Sequence, residues 1–298
     1  MKIGFYSLIR PTFPSNCIRW ADPIHYFGGG LSNYDLHFHA TLEADDDVWV
    51  FCRNLPDTEK LDELKAKGKV MIYDCDDPLW LTGKPLNLRK RLAKQIEQLD
   101  KWFDYAVCST QGLADELRKA NSKIPIVVLP NYLPIHKREP IANVDKAVIY
   151  TGCTMDKLKM LAKPFMNACK LLQKKGWKII SSVPIEGCNV EGLPNVDYPY
   201  FHSMLLPQLN GVYVAPLVDC VESRCKSDLK QQEALAMGLP FVGMGDPYVD
   251  SLPYDASYKE IAAAIESAKV PSCEYREYDY DFRGIWASVY SGKITPKS

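Results

Sequence analysis

The sequence predicts an α/β fold: two domains, each a parallel sheet with helices on its faces. Three observations predict it. Short apolar runs alternate with helical patterns along the chain, which is the signature of strand-helix-strand units. The alternation stops at a proline-bounded passage, LPIHKREPIANVD, and then starts again. A chain of 298 residues that is 47% hydrophobic can also bury a core in each of two medium domains.

In order, KIGFYSLI, DVWVFCR, KVMIYDC, DYAVCST and IPIVVLPN read as strands of the first domain, with helical patterns at 87–103 and 111–121. This is a Rossmann-like arrangement, assigned to 1–143. KAVIYTG, WKIISSVP, GVYVAPL and LPFVGMG read as strands of a second domain of the same class, 144–270. Its helical patterns lie at 156–175, 203–209, 224–237 and 257–268. The aromatic stretch at 271–298 is expected to be partly helical and to pack back across the junction. Two such domains are expected to face each other across a cleft, with ligands at the carboxyl ends of the strands.

Composition excludes several classes. The formal net charge is −1, with 19 basic against 20 acidic residues in 1–145 and 17 against 17 in 146–298. Bulk charge therefore announces no generic nucleic-acid surface. Ten cysteines are scattered singly from Cys17 to Cys273 with no CxxC spacing, so they read as reduced thiols. No apolar run approaches a membrane span, and a cytoplasmic location is expected.

Residues 223–240, SRCKSDLKQQEALAMGLP, pose a specific problem. If a helix starts near Ser223 or Ser227 and ends at Gly238, Lys226 and Lys230 lie one turn apart at its positive end, where like charges repel. At 100° per residue, Lys226, Lys230, Glu233 and Met237 fall within about 60° of one another. Either Lys230 and Glu233 form an i,i+3 pair on a solvated face, or an anion sits between the two cations.

At these residues the sequence resembles the donor-binding region of the retaining GT-B glycosyltransferases, the large group called family 4. The stretch PLVDCVESRCKSDLKQQEALAMGLPFVGMGDPYVD carries the likeness, supported by YDCDDPLW, CSTQGLADEL, VVLPNYLP and YTGC. The resemblance implies an acceptor on the first domain and a nucleotide sugar, such as a UDP- or GDP-sugar, on the second. It implies that Lys226 contacts the donor diphosphate, with Arg224, Ser227 and Lys230 as helpers, and that Glu233 accepts hydrogen bonds from ribose. Many relatives carry a second glutamate where this chain has Cys225, so Glu222 is the substitute candidate for sugar contacts. Gly152, which ends the first strand of the second domain, is the remaining donor-side candidate.

The chemistry follows from departure of a nucleoside diphosphate as an oxocarbenium-like sugar forms. Lys226 would stabilise the developing phosphate charge. With retention, the departing phosphate can take the acceptor proton. With inversion, a base is needed, and Asp76, Asp77 and His25 are the candidates. Asp76 and Asp77 suit equally a cap on the next helix. Asp74-Cys75-Asp76 imitates a D-x-D metal motif, but the cations already supply what a metal would, so no metal and no other cofactor are expected.

On the acceptor side, Gly28, Gly29 and Gly30 suit a turn or a close backbone approach to a sugar. Asn131, Tyr132 and His202 line cleft loops by position alone, and of these Asn131 is the acceptor-side candidate. His37 and His39 read as a half-buried segment rather than a metal pair. From Pro78 to Ile96 there are five basic residues, Lys84, Arg89, Lys90, Arg91 and Lys94, and no acid. They form either a solvated helix end, balanced by Glu97 and Asp100, or a grip for a polyanion. A saccharide or lipid-linked sugar and hydroxymethylated DNA are the two acceptor readings. For the second, the size and layout resemble small bacteriophage enzymes of this fold, and Trp80 or Tyr132 would stack on an extruded base. A non-catalytic sugar or nucleotide binder is the alternative function. A dinucleotide oxidoreductase fits less well, because the one G-x-G, at Gly243 and Gly245, runs into Asp-Pro.

Overall fold

The computed structural model describes residues 1–7, 17–27, 34–82, 85–152, 163–194, 196–278 and 280–293. The chain forms two compact units, one of Met1–Pro134, Cys225–Ser227 and Tyr278–Ser298, the other of Ile135–Arg224 and Asp228–Glu277. By this division the chain changes unit at 134–135, 224–225, 227–228 and 277–278; the sequence reading placed its boundaries at 143–144 and 270–271. Residues 135–141 go with the second unit because their backbone is bound there: Arg138 N–H donates to Ala236 O (2.8 Å) and Ile141 N–H to Gly238 O (3.0 Å).

In the first unit six strands, β1 (Lys2–Tyr6), β2 (Asp35–His39), β3 (Val48–Cys52), β4 (Val70–Cys75), β5 (Tyr105–Cys108) and β6 (Ile126–Val128), pair in the order β2-β1-β3-β4-β5-β6. Every pair is parallel. All five residues of β3 are buried, as expected of a central parallel strand covered on both faces. The sequence reading passed over β2 as a strand. It is an edge strand with one apolar face, Leu36 and Phe38, so two apolar residues suffice and no run is visible. On its other face His37 pairs with Asp35 (2.9 Å) and His39 with Asp46 (2.8 Å).

A π-helical turn, Cys17–Ala21, leads into α1 (Asp22–Phe27), and α2 (Thr58–Ala66), α3 (Leu79–Thr82), α4 (Leu86–Ile96), α5 (Leu99–Trp102) and α6 (Gln111–Ala120) follow. The helix expected over 87–103 is two helices, because Gln98 (φ −115°, ψ 17°) leaves the helical region. Thr110 starts α6 by accepting a hydrogen bond from the Leu113 N–H (3.1 Å), an N-cap worth about 1 kcal/mol.

The second unit has five parallel strands, β7 (Ala147–Tyr150), β8 (Lys178–Ser181), β9 (Val190–Gly192), β10 (Val212–Ala215) and β11 (Phe241–Gly243), in the order β11-β10-β7-β8-β9. Its helices are α7 (Lys163–Lys174), α8 (Tyr198–Tyr200), α9 (Val221–Arg224), α10 (Leu229–Met237) and α11 (Tyr258–Glu266). The helix expected at 203–209 is instead a π-helical turn, Phe201–Leu205, followed by a 3-10 turn, Leu206–Gln208, both continuing from α8. Val148, Ile179 and Val214 of the sheet pack with Phe165 and Leu172 of α7 and Ile261 and Ile265 of α11. Each such side chain contributes about 1.5–3 kcal/mol on burial.

The last helix, α12 (Tyr280–Tyr290), counts with the first unit. Tyr278, Phe282, Trp286, Val289 and Tyr290 recur at helical spacing and join Phe5 and Trp20 in the first core. Trp286 stacks on Phe5 with ring centroids 5.8 Å apart. Among the described residues no helix is long and apolar enough to cross a membrane.

The strand orders locate the places where ligands can enter each sheet. In the first, successive connections run to opposite sides of the β1/β3 pair; in the second, of the β7/β10 pair. Crevices open at the carboxyl ends of strands at such reversals.

Candidate functional site

In the first unit, charged groups gather just beyond the ends of β3 and β4. The Arg53 guanidinium forks onto two carboxylates, Nη1 to Asp76 (3.2 Å) and Nη2 to Asp77 (3.2 Å). The Lys226 ammonium bonds Asp77 Oδ1. Asp77 thus has a cation on each oxygen, and its side chain is 15% exposed. Arg53 was not singled out from the sequence. The readable signal was an arginine directly after a wholly apolar strand, where the next strand ends in two acids. Its backbone lies in the left-handed region (φ 63°), which costs a side-chain-bearing residue roughly 1 kcal/mol. That conformation is fixed from both sides: Arg53 N–H donates to Asp74 O (2.9 Å) and Tyr73 hydroxyl donates to Arg53 O (3.1 Å).

Behind this pair lies a buried network. Asp74 is fully buried and accepts from Arg19 Nε (3.1 Å), Trp20 Nε1 (2.9 Å) and the Tyr290 hydroxyl. Burial pushes its carboxyl up, and Arg19 and these donors offset part of that push. Arg19 also donates to Leu129 O (2.5 Å) and Asn131 Oδ1 (3.3 Å). Asn131 in turn donates to Ser227 Oγ (3.1 Å). Asp74 and Asp76 therefore serve different partners: one holds the core and the other holds Arg53.

In the second unit, the centre is Glu233 of α10, wholly buried and bonded at both oxygens. His202 Nε2 meets Oε1 (3.0 Å), while the Tyr213 hydroxyl (2.5 Å) and Lys230 Nζ (2.8 Å) meet Oε2. Burial raises the pKa of Glu233, but the Lys230 charge and His202 outweigh it and hold the carboxyl at about 2. Tyr213 is pushed well above the usual tyrosine range by burial and by Glu233 beside it. The Thr151 hydroxyl, just past β7, lies 2.5 Å from Tyr213 OH. A hydrogen-bonded line thus runs from the end of β7 through Tyr213 to Glu233, ending at the sheet reversal. Gly152 sits at the same place. A Cβ there would lie 1.9 Å from the Tyr150 hydroxyl, so a side chain at this position would have to displace the end of the Tyr150 ring.

The helix expected over 224–237 is interrupted. α9 ends at Arg224 and α10 starts at Leu229, so Lys226 shares no helix face with Lys230, Glu233 and Met237. The interruption has a physical cause in residues 225–227, whose polar groups are bonded within the first unit: Thr110 Oγ1 donates to Cys225 O (3.0 Å), and Asn131 holds Ser227. The two lysines need no shared anion between them, because Lys226 has Asp77 and Lys230 has Glu233. Gly238 does end α10, in the left-handed conformation (φ 66°).

The remaining candidates fall as follows. Arg224 pairs with Asp219, and Glu222 lies in the first turn of α9. His25 is exposed on α1. Gly28, Gly29, Gly30 and Lys84 lie outside the described residues. Trp80 is only 4% exposed, so its ring presents no platform for a base; Tyr132 stacks instead on Phe282, with centroids 4.0 Å apart. Arg91 pairs with Asp57 and Arg89 donates to Leu81 O, while Lys90 and Lys94 are exposed. The expected balance by Asp100 is replaced: Asp100 accepts from Asn121 (2.7 Å). An open cavity of about 590 Å³ in the second unit is lined by Asp219, Gly245, Asp246, Ser251, Tyr254 and Asp255, beyond the ends of β10 and β11.

No family model matches the sequence, and no curated protein matches it. Solved structures do. Anabaena HepE in complex with UDP-glucose is 13% identical with a TM-score of 0.57, over 98% of this chain and 95% of that one. The sucrose-phosphate synthase of Thermosynechococcus elongatus is 11% identical with a TM-score of 0.59, over 89% of each chain. A TarM mutant of S. aureus, in a complex containing UDP, is 12% identical with a TM-score of 0.53; the match covers 91% of this chain but 54% of TarM, so the chain spans about half of that protein's length. These likenesses and the two parallel sheets show the fold, which is the GT-B fold of two Rossmann-like units.

Proposed function

We propose that the protein is a glycosyltransferase that moves a sugar from a nucleotide-sugar donor to a hydroxyl acceptor, with retention and without a metal. The observation that carries this reading is the GT-B fold, matched over nearly the whole chain to a protein solved with UDP-glucose. The residues support it from below. Each unit holds a lysine beside carboxylates at the carboxyl ends of its strands, Lys226 in the first and Lys230 in the second. Lys226 is the group we assign to the donor diphosphate, with Ser227 beside it in the same segment. A cation stabilises charge developing on the leaving phosphate, and this electrostatic contribution acts without any protein base. Both oxygens of Asp77 carry cations, which favours proton transfer to the departing phosphate over transfer to that residue.

Glu233 takes a different role from the ribose acceptor the family likeness implies. Its oxygens are already bonded to three protein groups, so it positions Lys230. For the acceptor, the basic face of α4 favours a polyanion: Lys90 and Lys94 project from it with no acidic residue before Glu97. Hydroxymethylated DNA, as in the small phage enzymes, is the reading this surface supports; a saccharide or lipid-linked sugar is the other. Incubation with a panel of nucleotide sugars tests the core of the proposal. Release of free nucleotide from one donor, with mass gain on a hydroxyl acceptor, is expected. Tight nucleotide-sugar binding without turnover on any acceptor would make the protein a binder.

A further inference from the structure

Three consecutive residues of the first unit are each held from a different strand end. The Cys225 carbonyl accepts from Thr110, which follows β5; the Lys226 ammonium bonds Asp77, which follows β4; Ser227 Oγ accepts from Asn131, which follows β6. The residues flanking Lys226 are thereby anchored, and its charge is carried at the end of a four-carbon side chain as a compact ammonium.

The ion pair this side chain makes is unlike the buried pair behind it. Arg19 and Asp74 are 2% and 0% exposed, whereas Lys226 and Asp77 are 31% and 15% exposed. Breaking a deeply buried pair leaves an uncompensated charge, but a partly solvated pair separates far more readily. Asp77 is also insured against the loss of Lys226, because Arg53 Nη2 stays on its second oxygen at 3.2 Å. Arg53 itself is tied to Asp76 and held by its backbone. The arrangement is that of an anion site whose occupant is already present and can be left behind without a stranded charge.

We propose that Asp77 is the resident counter-ion of Lys226, and that a diphosphate displaces it by drawing the Lys226 ammonium away while Arg53 keeps the carboxylate. The choice of a diphosphate rests on the glycosyltransferase reading; the exchange itself rests on the geometry above. Asp77 then sets the affinity of the site by competition, and it is neither a base nor a helix cap.

Calorimetric titration with inorganic pyrophosphate and with UDP tests this. Asp77→Asn keeps the side chain's shape and removes its charge, and it is expected to tighten pyrophosphate by about tenfold. Asp76→Asn, which removes a charge from the same Arg53 without touching the pair, is expected to change affinity by less than about twofold. In a Lys226→Ala background, Asp77→Asn is expected to have no effect. Equal or weaker pyrophosphate binding by Asp77→Asn at an unchanged melting temperature overturns the proposal, as does tightening that survives Lys226→Ala or an absence of binding in every variant. Should Asp77→Asn fail to fold, Asp77→Ser carries the same comparison. Tightening without turnover of any nucleotide sugar would sustain the exchange and remove the glycosyltransferase reading; turnover without tightening would do the reverse.

Discussion

The two units treat a lysine-carboxylate pair in opposite ways. In the second, Glu233 is wholly buried and bonded to His202, Tyr213 and Lys230, so its charge is locked into the core. In the first, Asp77 is partly exposed, and its two cations come from a strand end and from the 225–227 segment. The same chemistry therefore serves as a fixed part in one sheet and as an exchangeable one in the other. Burial and the number of neutral donors decide which, since a buried carboxylate needs every lone pair satisfied.

The largest effect that can break this comparison is on turnover. Lys226→Ala is expected to lower it by about 10²–10³-fold, the scale of one lost transition-state charge contact. Its melting temperature should hardly move, because a partly exposed ion pair contributes little to stability. Unchanged steady-state activity would remove Lys226 from the chemistry and leave it a surface partner of Asp77.

Glu233→Gln should show the opposite pattern: stability falls first. The folded-state value of about 2 lies below the ordinary 4.5, so the carboxylate's stabilisation is complete above about pH 4.5 and is lost as pH falls towards 2. A shift of that size corresponds to on the order of 3 kcal/mol at neutral pH. Denaturant melts from pH 7 to 3 should show an acid-sensitive component in the parent that the variant lacks. If Glu233→Gln instead kept its stability and lost only donor affinity, Glu233 would be a ribose contact after all.

Much of this was legible in the sequence where the signal is local. The runs VWVFC and YAVC gave central strands because parallel strands are apolar on both faces. Gly238 gave the end of α10, since only the left-handed turn needs it there. β2 was missed because an edge strand shows alternation over a few residues and no run. The break at 225–228 was invisible for another reason: it is made by Thr110 and Asn131, more than ninety positions away, and no helical periodicity reports a distant hydrogen bond. Arg53 was missed similarly, because its meaning depends on the acids that end the neighbouring strand. Of the two lysine–carboxylate pairs, Lys230–Glu233 was one of the two readings its spacing left open, whereas Lys226–Asp77 joins residues far apart in the chain and no spacing announces it.

A smaller effect concerns cations outside both centres. Lys90 and Lys94 of α4 are exposed, whereas Arg91 already has Asp57. If hydroxymethylated duplex DNA is the acceptor, removing the charges of Arg89, Lys90 and Arg91 should flatten the salt dependence of its binding by about one unit per lost phosphate contact. Lys90→Ala should show this more than Arg91→Ala, because Arg91 must leave Asp57 to reach a phosphate. No mass gain on such DNA with any nucleotide sugar, beside transfer to a saccharide or lipid acceptor, would reject the DNA reading and leave α4 as ordinary surface.

The smallest expected effect is none, and it discriminates among the acids of the first unit. A D-x-D metal site would require Asp74 and Asp76 to turn toward one ion, yet Asp74 is inside the core on Arg19, Trp20 and Tyr290. Freeing it would leave the Arg19 charge buried without its carboxylate, a loss of about 3–5 kcal/mol. Asp76 meanwhile faces Arg53, whose fixed cation repels a divalent ion. Activity is therefore expected to persist in excess EDTA at the same kcat and KM. Complete loss in chelator, restored by manganese or magnesium, would show that the ion is held by other groups or that Asp74 rearranges. Asp74→Asn separates these: under the first it disturbs stability alone, and under the second it abolishes the metal response.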